Sequence, residues 1–206
     1  MHQSRQESTT RLPIERKGKK YLARASSNLE NSIPVIIAIR DILKVAKTKK
    51  EVKGMINSKL IKINGRAVRD IHESIKLFNI LEVGKSYVLK LSPTRKFYLE
   101  ELKNANERLC KVIGKKLLKG GKVQINLHDG TNLIADKKIE IGDSLYLDFS
   151  GKIKRHLSPE KGSEIFVVNG KYEGHSGKIE NIQEKKLLIK FKEGPALLDI
   201  SNIILT

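Results

Sequence analysis

A helix-capping signal and a tight-turn signal follow one another in the first half of this sequence and constrain its fold more than any other feature. Thr48 is followed three residues later by Glu51, which is a capping box: the threonine hydroxyl can accept the Glu51 amide, and the glutamate can reach back to the amide of Thr48. Asn64-Gly65 is the strongest short hairpin signal, because both residues tolerate positive φ. We therefore expect a helix to begin after Thr48 and two strands to meet at Asn64-Gly65.

The apolar pattern around these signals predicts the remaining elements of residues 33–83. Apolar residues recur at helical spacing from Ile36 to Ala46, which predicts a first short helix before the capped one. The strand-like residues 60–63 lead into the turn, and residues 68–71 carry the returning strand. The segment is thus predicted to consist of two short helices followed by a hairpin.

The polar side of this segment is almost uniformly positive. Residues 40–69 contain ten Lys or Arg residues and only two acidic ones, Asp41 and Glu51. An ordinary solvated helix face is the alternative interpretation, but such a face usually mixes both signs, so the excess favours a surface for phosphate groups. The ten cations are Arg40, Lys44, Lys47, Lys49, Lys50, Lys53, Lys59, Lys62, Arg66 and Arg69.

Three stretches of this segment resemble the S4-type RNA-binding domain, a module of ribosomal proteins, some tRNA synthetases and RNA-modifying enzymes. They are Arg40-Asp41-Ile42-Leu43, Ala46-Lys47-Thr48 and Lys59-Leu60-Ile61-Lys62-Ile63-Asn64-Gly65-Arg66. In such modules the two helices and the loop before the strand usually contact RNA. The resemblance implies RNA binding without indicating which RNA.

The composition indicates the same class of partner. The chain has 206 residues, enough for two to three small domains, and a net charge of +18 that exceeds what solubility requires. We expect nucleic acid as the polyanionic partner, ahead of an anionic membrane. No apolar run is long enough to span a bilayer, and the N-terminus lacks the apolar core of a secretory signal, so a cytoplasmic location is predicted. Cys110 is the single cysteine, which excludes an internal disulfide and a cysteine-based zinc site and favours a small buried residue.

Residues 1–32 are polar and basic, with too few apolar residues to fold alone. We expect an N-terminal arm that orders on RNA, with Leu12-Pro13 as a local anchor and Tyr21 available to stack on a base or to pack. A disordered tail of no consequence is the alternative. The basic residues of the arm are Arg5, Arg11, Arg16, Lys17, Lys19, Lys20 and Arg24.

The rest of the chain is predicted to be mainly β-structure. Leu99, Leu102 and Ala105 suit a short helix, but from residue 119 onward apolar and polar residues alternate between glycine-containing turns, as in a small sandwich or barrel. His128-Asp129 is interpreted as part of a turn. Adjacent residues of a strand point to opposite faces, and no Ser or Cys nucleophile accompanies the pair.

The segment from Lys161 to Thr206 resembles the KOW motif, a strand–loop–strand element of small barrels in ribosomal proteins and transcription elongation factors. Glycines at 170, 174 and 177 lie between two predicted strands and permit positive φ and close backbone approach. A purely architectural role of this loop is the main expectation. Lys171, Tyr172 and His175 are additional candidates for RNA contact.

The combination of an S4-type module, a β-rich middle and a KOW element resembles the archaeal and eukaryotic small-subunit ribosomal protein family S4e. Leu109-Cys110-Lys111-Val112 and Asn126-Leu127-His128-Asp129-Gly130-Thr131-Asn132 look like the central domain of that family, and the comparison makes residues 108–113 a strand. The sequence departs from the family pattern in lacking Trp and in having Ser26-Ser27-Asn28-Leu29 where a Gly-Pro-His segment is usual.

The resemblance implies an α+β, β-rich fold and a structural constituent of the small ribosomal subunit. The predicted domains are the arm at 1–32, an S4-type helix-helix-hairpin module at 33–92, a central β-rich domain at 93–158 and a KOW-containing, SH3-like barrel at 159–206. Small-subunit ribosomal RNA and neighbouring ribosomal proteins are the expected partners. No cofactor, metal, small-molecule substrate, membrane or catalytic residue is expected. The predicted RNA contacts are Arg40, Lys44, Lys47, Lys49, Lys50, Lys53, Arg66, Arg69, the seven arm cations, Lys171 and His175.

Other classes of function remain open at this stage. An RNA-modifying enzyme or synthetase using an S4-type module would need a catalytic domain, and the β-rich remainder has no nucleotide-binding glycine loop or metal-ligand cluster. A KOW-type transcription or RNA-processing factor would be expected to bind polymerase. A membrane-surface protein would need a basic helix with a broad apolar face, which the sequence lacks.

Overall fold

The computed structural model of the chain describes residues 2–15, 17–103, 105–135, 138–183, 186–192 and 194–206. It divides into two compact units, residues 1–105 and residues 106–206. Both are rich in β-structure, and the described helices are short. No helix in the described part of the chain is long and apolar enough to cross a membrane.

The described residues of unit 1 form nine strands and two short helical segments. Its main sheet has five antiparallel strands in the order β5-β4-β7-β8-β9, and two further antiparallel pairs, β1-β2 and β3-β6, are separate from it. Its elements are β1 (His2–Ser4), β2 (Tyr21–Ala23), β3 (Ser32–Pro34), α1 (Val35–Ile37) continuing as a π-turn (Ala38–Ile42), α2 (Lys49–Asn57), β4 (Ile61–Ile63), β5 (Arg66–Ala67), β6 (Ser74–Lys76), β7 (Ile80–Val83), β8 (Lys85–Leu91) and β9 (Phe97–Leu102).

The structure confirms the helix cap at Thr48 and the hairpin turn at Asn64-Gly65. Thr48 caps α2, and its hydroxyl accepts the Glu51 amide at 3.2 Å. The Glu51 carboxylate reaches back one residue further than predicted and accepts the Lys47 amide at 2.8 Å. Asn64 and Gly65 form the two-residue turn between β4 and β5 with φ of 51° and 78°. Local side-chain chemistry therefore determines both boundaries.

Three predicted elements differ from the structure. The returning strand of the hairpin is β5 (Arg66–Ala67), so its predicted placement at residues 68–71 is wrong. The first helix ends at Ile42, before Ala46, because Lys44 adopts a left-handed φ of 56° that a continuing helix does not allow. The helix predicted from Leu99, Leu102 and Ala105 is wrong. Residues 97–102 form β9 instead, in register with β8 from Leu91↔Phe97 to Ser86↔Leu102. A spacing of three residues fitted a helix, but pairing with a long neighbouring strand buries Phe97.

Unit 2 contains two antiparallel five-stranded sheets. The strand orders are β12-β11-β10-β13-β14 and β18-β17-β16-β15-β19. The strand expected at residues 108–113 is confirmed as part of β10. The elements are β10 (Arg108–Leu117), β11 (Val123–Leu127), β12 (Asn132–Ala135), β13 (Ser144–Leu147), β14 (Ile153–Leu157), β15 (Glu164–Val167), β16 (Ser176–Gln183), β17 (Lys186–Phe191), β18 (Gly194–Asp199), β19 (Ile203–Leu205) and two short 3₁₀ turns (Lys119–Gly121 and Ile200–Asn202).

Each sheet of unit 2 has its own aliphatic core. The first is centred on Val112, Ile125 and Leu145, and the second on Val167, Leu187 and Ile189. Cys110 lies in the first core as a buried free thiol, and burial raises its pKa, so the expected inert role is confirmed.

A buried lysine links the two sheets of unit 2. The Lys111 ammonium donates to the backbone oxygens of Ile200 and Ser201 at 2.6 and 2.7 Å. The Leu205 amide also donates to the Ser144 hydroxyl at 3.0 Å. These polar contacts join the C-terminal sheet to the central one through the buried residues Lys111, Ser144 and Leu205.

Candidate nucleic-acid interface

Helix α2 presents a cationic face because its apolar residues point the other way. Val52 and Ile56 are buried, whereas Lys49, Lys50 and Lys53 are exposed. The acidic residue of the helix does not neutralise this face, since the Glu51 carboxylate is engaged in the cap. Hydrogen bonds from the Lys47 amide and the Thr48 hydroxyl lower the pKa of Glu51. The lysines also lie at the positive end of the helix dipole, so the field there favours anions.

Arg40 lies at the π-turn and is already paired. Its Nε and Nη2 atoms both donate to the Asp41 carboxylate at 2.8 Å, and this hydrogen bonding raises the pKa of Arg40. Both side chains are about one-third exposed. Asp41 therefore orients the guanidinium through two of its three nitrogens.

Lys44 follows in a conformation that is unfavourable for a lysine. Its φ of 56° lies in the left-handed region, where glycine is the usual residue. The chain reverses here, with the Val45 amide donating to Ile39 O at 3.0 Å, and Lys44 and Lys47 are left exposed. A side chain retained at a strained backbone position is a candidate for a functional role.

The hairpin residue Arg66 pairs with Glu73, which lies outside residues 40–69, the stretch in which charges were counted. Its guanidinium forms an ion pair with Glu73, whose other carboxylate oxygen accepts the Arg69 amide at 3.1 Å. Arg69 itself is exposed. Glu73 thus holds the hairpin strand against the chain that precedes β6 and reduces the free charge of Arg66.

The N-terminal arm is packed against the rest of unit 1. Strands β1 and β2 pair with each other, and Leu12, the predicted anchor, is only 3% exposed. The Phe97 amide donates to Arg11 O at 2.9 Å, the Lys96 ammonium contacts Thr10 O, and the Ser26 amide donates to His72 O at 2.9 Å. The arm is therefore held by backbone and side-chain hydrogen bonds to His72, Lys96 and Phe97 together with the burial of Leu12.

Two arginines of the arm are used inside the protein. The Arg5 guanidinium donates to Lys19 O at 3.0 Å and to Glu15 O, and so holds the arm's loop closed. The Arg11 guanidinium donates to the Asn31 side chain. By contrast, Lys17, Lys19, Lys20 and Arg24 are exposed. Arg16 lies outside the described residues.

Three adjacent grooves of unit 1 are lined by cations, and two of them combine residues of the arm with residues of the helical segments. The largest, of about 710 Å³, is lined by Arg5 and Lys17 from the arm and by Arg40, Lys44 and Lys47. Two smaller grooves, of about 330 and 410 Å³, share Lys49 and His72 in their walls, and the second also contains Lys53 and Arg69. Most of the predicted cations of unit 1 therefore line one set of adjacent grooves. We call this set the basic face.

Sequence reasoning missed three residues that build this face. Lys96 ties the arm down, Glu73 binds Arg66, and His72 lines two grooves with its Nδ1 atom 3.0 Å from Arg24 O. Lys96 and His72 act over long sequence separations, whereas Glu73 lies seven residues from Arg66, just beyond the stretch in which charges were counted. Tyr21 was identified correctly as available. It is 55% exposed, with the His2 ring edge-on at 4.9 Å.

Lys171 and His175 belong to unit 2. Lys171 is exposed, with its Nζ 5.6 Å from the centre of the Tyr172 ring. His175 is half-buried and packs edge-on against Tyr172 and Phe191, which are themselves stacked at 5.0 Å. Gly177 is required nearby, because a Cβ there would lie 2.7 Å from the Ile189 side chain. The aromatic packing gives His175 an evident structural role in addition to the predicted one.

Comparison with known proteins places the chain in a family. The ribosomal family S4e matches residues 83–153. The small ribosomal subunit protein eS4 of Pyrobaculum aerophilum is 33% identical over 200 residues, which cover 88% of this chain and 84% of that protein. The corresponding protein of Methanocella arvoryzae is 31% identical over 178 residues, covering 83% and 76%.

A solved structure agrees with these sequence relationships. The crystal structure of the 30S ribosomal protein S4e from Thermoplasma acidophilum superposes with a TM-score of 0.73 at 25% identity, covering 85% of this chain and 95% of that one. The chain therefore belongs to the ribosomal family S4e, and its β-rich fold is that of the family.

Proposed function

We propose that this protein is a structural constituent of the small ribosomal subunit that binds ribosomal RNA, and that the basic face of unit 1 is its main contact surface. Membership of the S4e family supports the role, and it identifies the protein as a structural component and not as an enzyme. The observation that carries the choice of surface is the convergence of the arm and helix cations on adjacent grooves.

Binding by this face is electrostatic and geometric. The exposed lysines neutralise phosphates as point charges and release counterions, whereas Arg40 presents a guanidinium oriented by Asp41. Tyr21, exposed beside the same grooves, stacks on an unpaired base. Arg5, Arg11 and Arg66 contribute mainly by holding the arm and hairpin in place. No chemical step is involved.

The domain assignment belongs to the same proposal. Residues 33–92 act as the S4-type module, with the arm at 1–32 packed on it. The central domain at 93–158 and the KOW-containing, SH3-like barrel at 159–206 follow in sequence, although β9 (Phe97–Leu102) pairs with β8 and so belongs to the sheet of unit 1. Lys171 and His175 are secondary RNA contacts of that barrel. Neighbouring ribosomal proteins are the other partners, and the protein is located in the cytoplasm within the small subunit.

A titration of the purified protein against protein-free small-subunit ribosomal RNA tests the proposal. We expect tight binding whose affinity falls steeply as salt is raised, since several phosphates are neutralised together. Replacing Lys44 and Lys47 by Gln weakens binding, whereas the same replacement at Lys186 and Lys192 in unit 2 leaves it unchanged. Equal effects of the two pairs would refute the choice of surface, and weak binding of the unmodified protein would refute the function.

A further inference from the structure

The β10–β11 hairpin of unit 2 carries a second concentration of positive charge. We use the name β10–β12 ribbon for residues 114–127 together with 132–135. Between Glu107 and Asp129 the sequence contains no acidic residue, and Asp129 is buried in an ion pair with Arg108 at 2.5 Å. The end of the hairpin contributes four exposed lysines: Lys115, Lys116, Lys119 and Lys122.

This charge is not a general property of unit 2. In the C-terminal sheet, Lys178 lies 3.3 Å from Glu164 and Lys190 lies 3.6 Å from Glu180. On β14, Arg155 lies 2.7 Å from Glu107. These three cations therefore face carboxylates of the same surface, whereas the residues of the ribbon include no carboxylate.

Strand register shows which side chains share the outer face of the ribbon. Val123, Ile125 and Leu127 point into the core, so the alternate residues of β11 point away from it. The pairings place Lys116, Gln124 and Ile134 in one row across the three strands. Gly114, Asn126 and Asn132 form the next row.

The outer face of the ribbon is mainly polar, because most of its side chains are amides. Gln124 and Asn126 are joined by a hydrogen bond of 2.9 Å, which aligns their amide groups side by side. Gly114 has no side chain opposite Asn126, and a Cβ there would approach the Asn126 amide to 3.4 Å. Ile134 is the apolar member of the face and is 66% exposed. The face thus offers adjacent amide donors and acceptors, with Lys116 in its first row and Lys119 and Lys122 at the hairpin end; Lys115 pairs with Ile125 and lies on the other side of the strand.

We propose that the β10–β12 ribbon is a second RNA-binding surface, which lies along the minor groove of an A-form RNA duplex. That groove is wide and shallow and displays 2′-hydroxyls. A side-chain amide can donate a hydrogen bond to such a hydroxyl and accept one from it. The lysines at the hairpin end contact the flanking phosphates, and Ile134 packs on ribose. A protein partner suits the face less well, because its two rows contain a single apolar side chain. The inference rests on the proposed function in assuming that the protein meets structured RNA.

The test compares full-length variants in binding to a blunt RNA duplex and to small-subunit ribosomal RNA. The ribbon variant changes Lys115, Lys116, Lys119 and Lys122 to Gln. The control variant makes the same change at Lys178, Lys186, Lys190 and Lys192 and so has the same net charge. Circular dichroism and thermal unfolding establish that both are folded.

We expect the ribbon variant to lose roughly 10- to 100-fold in affinity and to reduce the slope of log K against log salt by about 3. The control should stay close to the unmodified protein. Identical behaviour of the two variants would overturn the inference. In that case, a separate variant of the α2 lysines that still loses ribosomal RNA binding would leave the proposed function standing.

A second measurement isolates the amides. The double variant Gln124→Ala, Asn126→Ala removes no charge, so its salt slope stays that of the unmodified protein. We expect the unmodified protein to bind an RNA duplex several-fold more tightly than its 2′-O-methyl counterpart, which keeps the A-form, and the double variant to lose this preference. A preference retained by the double variant would show that the amides do not read the 2′-hydroxyl, and it would overturn the minor-groove assignment.

Discussion

Charge reversal on α2 gives the sharpest prediction for the basic face. Lys49, Lys50 and Lys53 are exposed on one side of the helix while Val52 and Ile56 hold the other side in the core. The change of all three lysines to Glu should leave the fold intact. Lys and Glu have similar helix propensities. Glutamates in the first turn interact favourably with the helix dipole, by about 0.3 to 1 kcal/mol each.

The size of the effect on RNA binding follows from counterion release. Loss of three phosphate contacts should reduce the slope of log K against log salt by about 2 to 3, which corresponds to a loss of roughly 100-fold in affinity at about 0.15 M salt. Repulsion of phosphate by the new carboxylates adds to this loss. The measurement is a filter-binding or anisotropy titration against small-subunit ribosomal RNA at a series of salt concentrations.

A matched control separates the site from overall charge. Lys161, Lys186 and Lys192 are exposed lysines of unit 2 outside the predicted sites, and their reversal to Glu changes the net charge by the same amount. We expect the control to lose much less affinity than the α2 variant. If the two triple variants lost the same affinity with the same salt slope, binding would depend on net charge alone and the basic face would be refuted.

Three further predictions concern single residues. Lys44→Gly should relieve left-handed backbone strain and raise the free energy of unfolding by ~1 kcal/mol while weakening RNA binding; a loss of stability in chemical denaturation would contradict it. Burial lowers the pKa of Lys111 to about 8, so the unfolded chain binds more protons between pH 8 and the ordinary lysine range, and stability should rise with pH there. Relative to the Lys111→Met variant, the free energy of unfolding should rise by up to about 3 kcal/mol over this pH range. Parallel curves of unfolding free energy against pH for the two proteins would contradict the prediction. Burial alone would raise the pKa of Asp129, but hydrogen bonds from Thr131 and the charge of Arg108 outweigh it and lower the pKa. Asp129→Asn should therefore lower the free energy of unfolding by about 3 to 5 kcal/mol at neutral pH, because it leaves Arg108 buried without its partner. This loss should shrink as pH falls through the Asp129 pKa, and an Asp129→Asn variant as stable as the unmodified protein would contradict the prediction.

Features set by neighbouring residues could be predicted from the sequence. The cap of α2 and the Asn64-Gly65 turn depend on side chains within a few positions of the backbone groups that they serve, so a short window contains the whole cause. The buried role of Cys110 was expected because it is the single cysteine and therefore has no disulfide or zinc-site partner. The excess of lysines on α2 was visible because helical spacing puts them on one side.

Features set by distant residues could not be predicted in this way. Leu99 and Leu102 fit a helix locally, and only the presence of β8 selects the strand. The arm is held by Lys96 and His72, which lie far from it in sequence. The ion pair of Arg66 with Glu73 likewise depends on the path of the chain after the hairpin. These contacts form because tertiary packing brings the residues together, and periodicity contains no information about them.

The central claim is that this chain is a built-in part of the small ribosomal subunit. Sedimentation of a native lysate through sucrose gradients, with this chain probed in every fraction, tests it most directly. We predict co-migration with the small subunit that persists at moderate salt and is lost only at high salt, as expected for multiple phosphate contacts. Recovery of the chain near the top of the gradient at moderate salt, or together with RNA polymerase, would contradict the account.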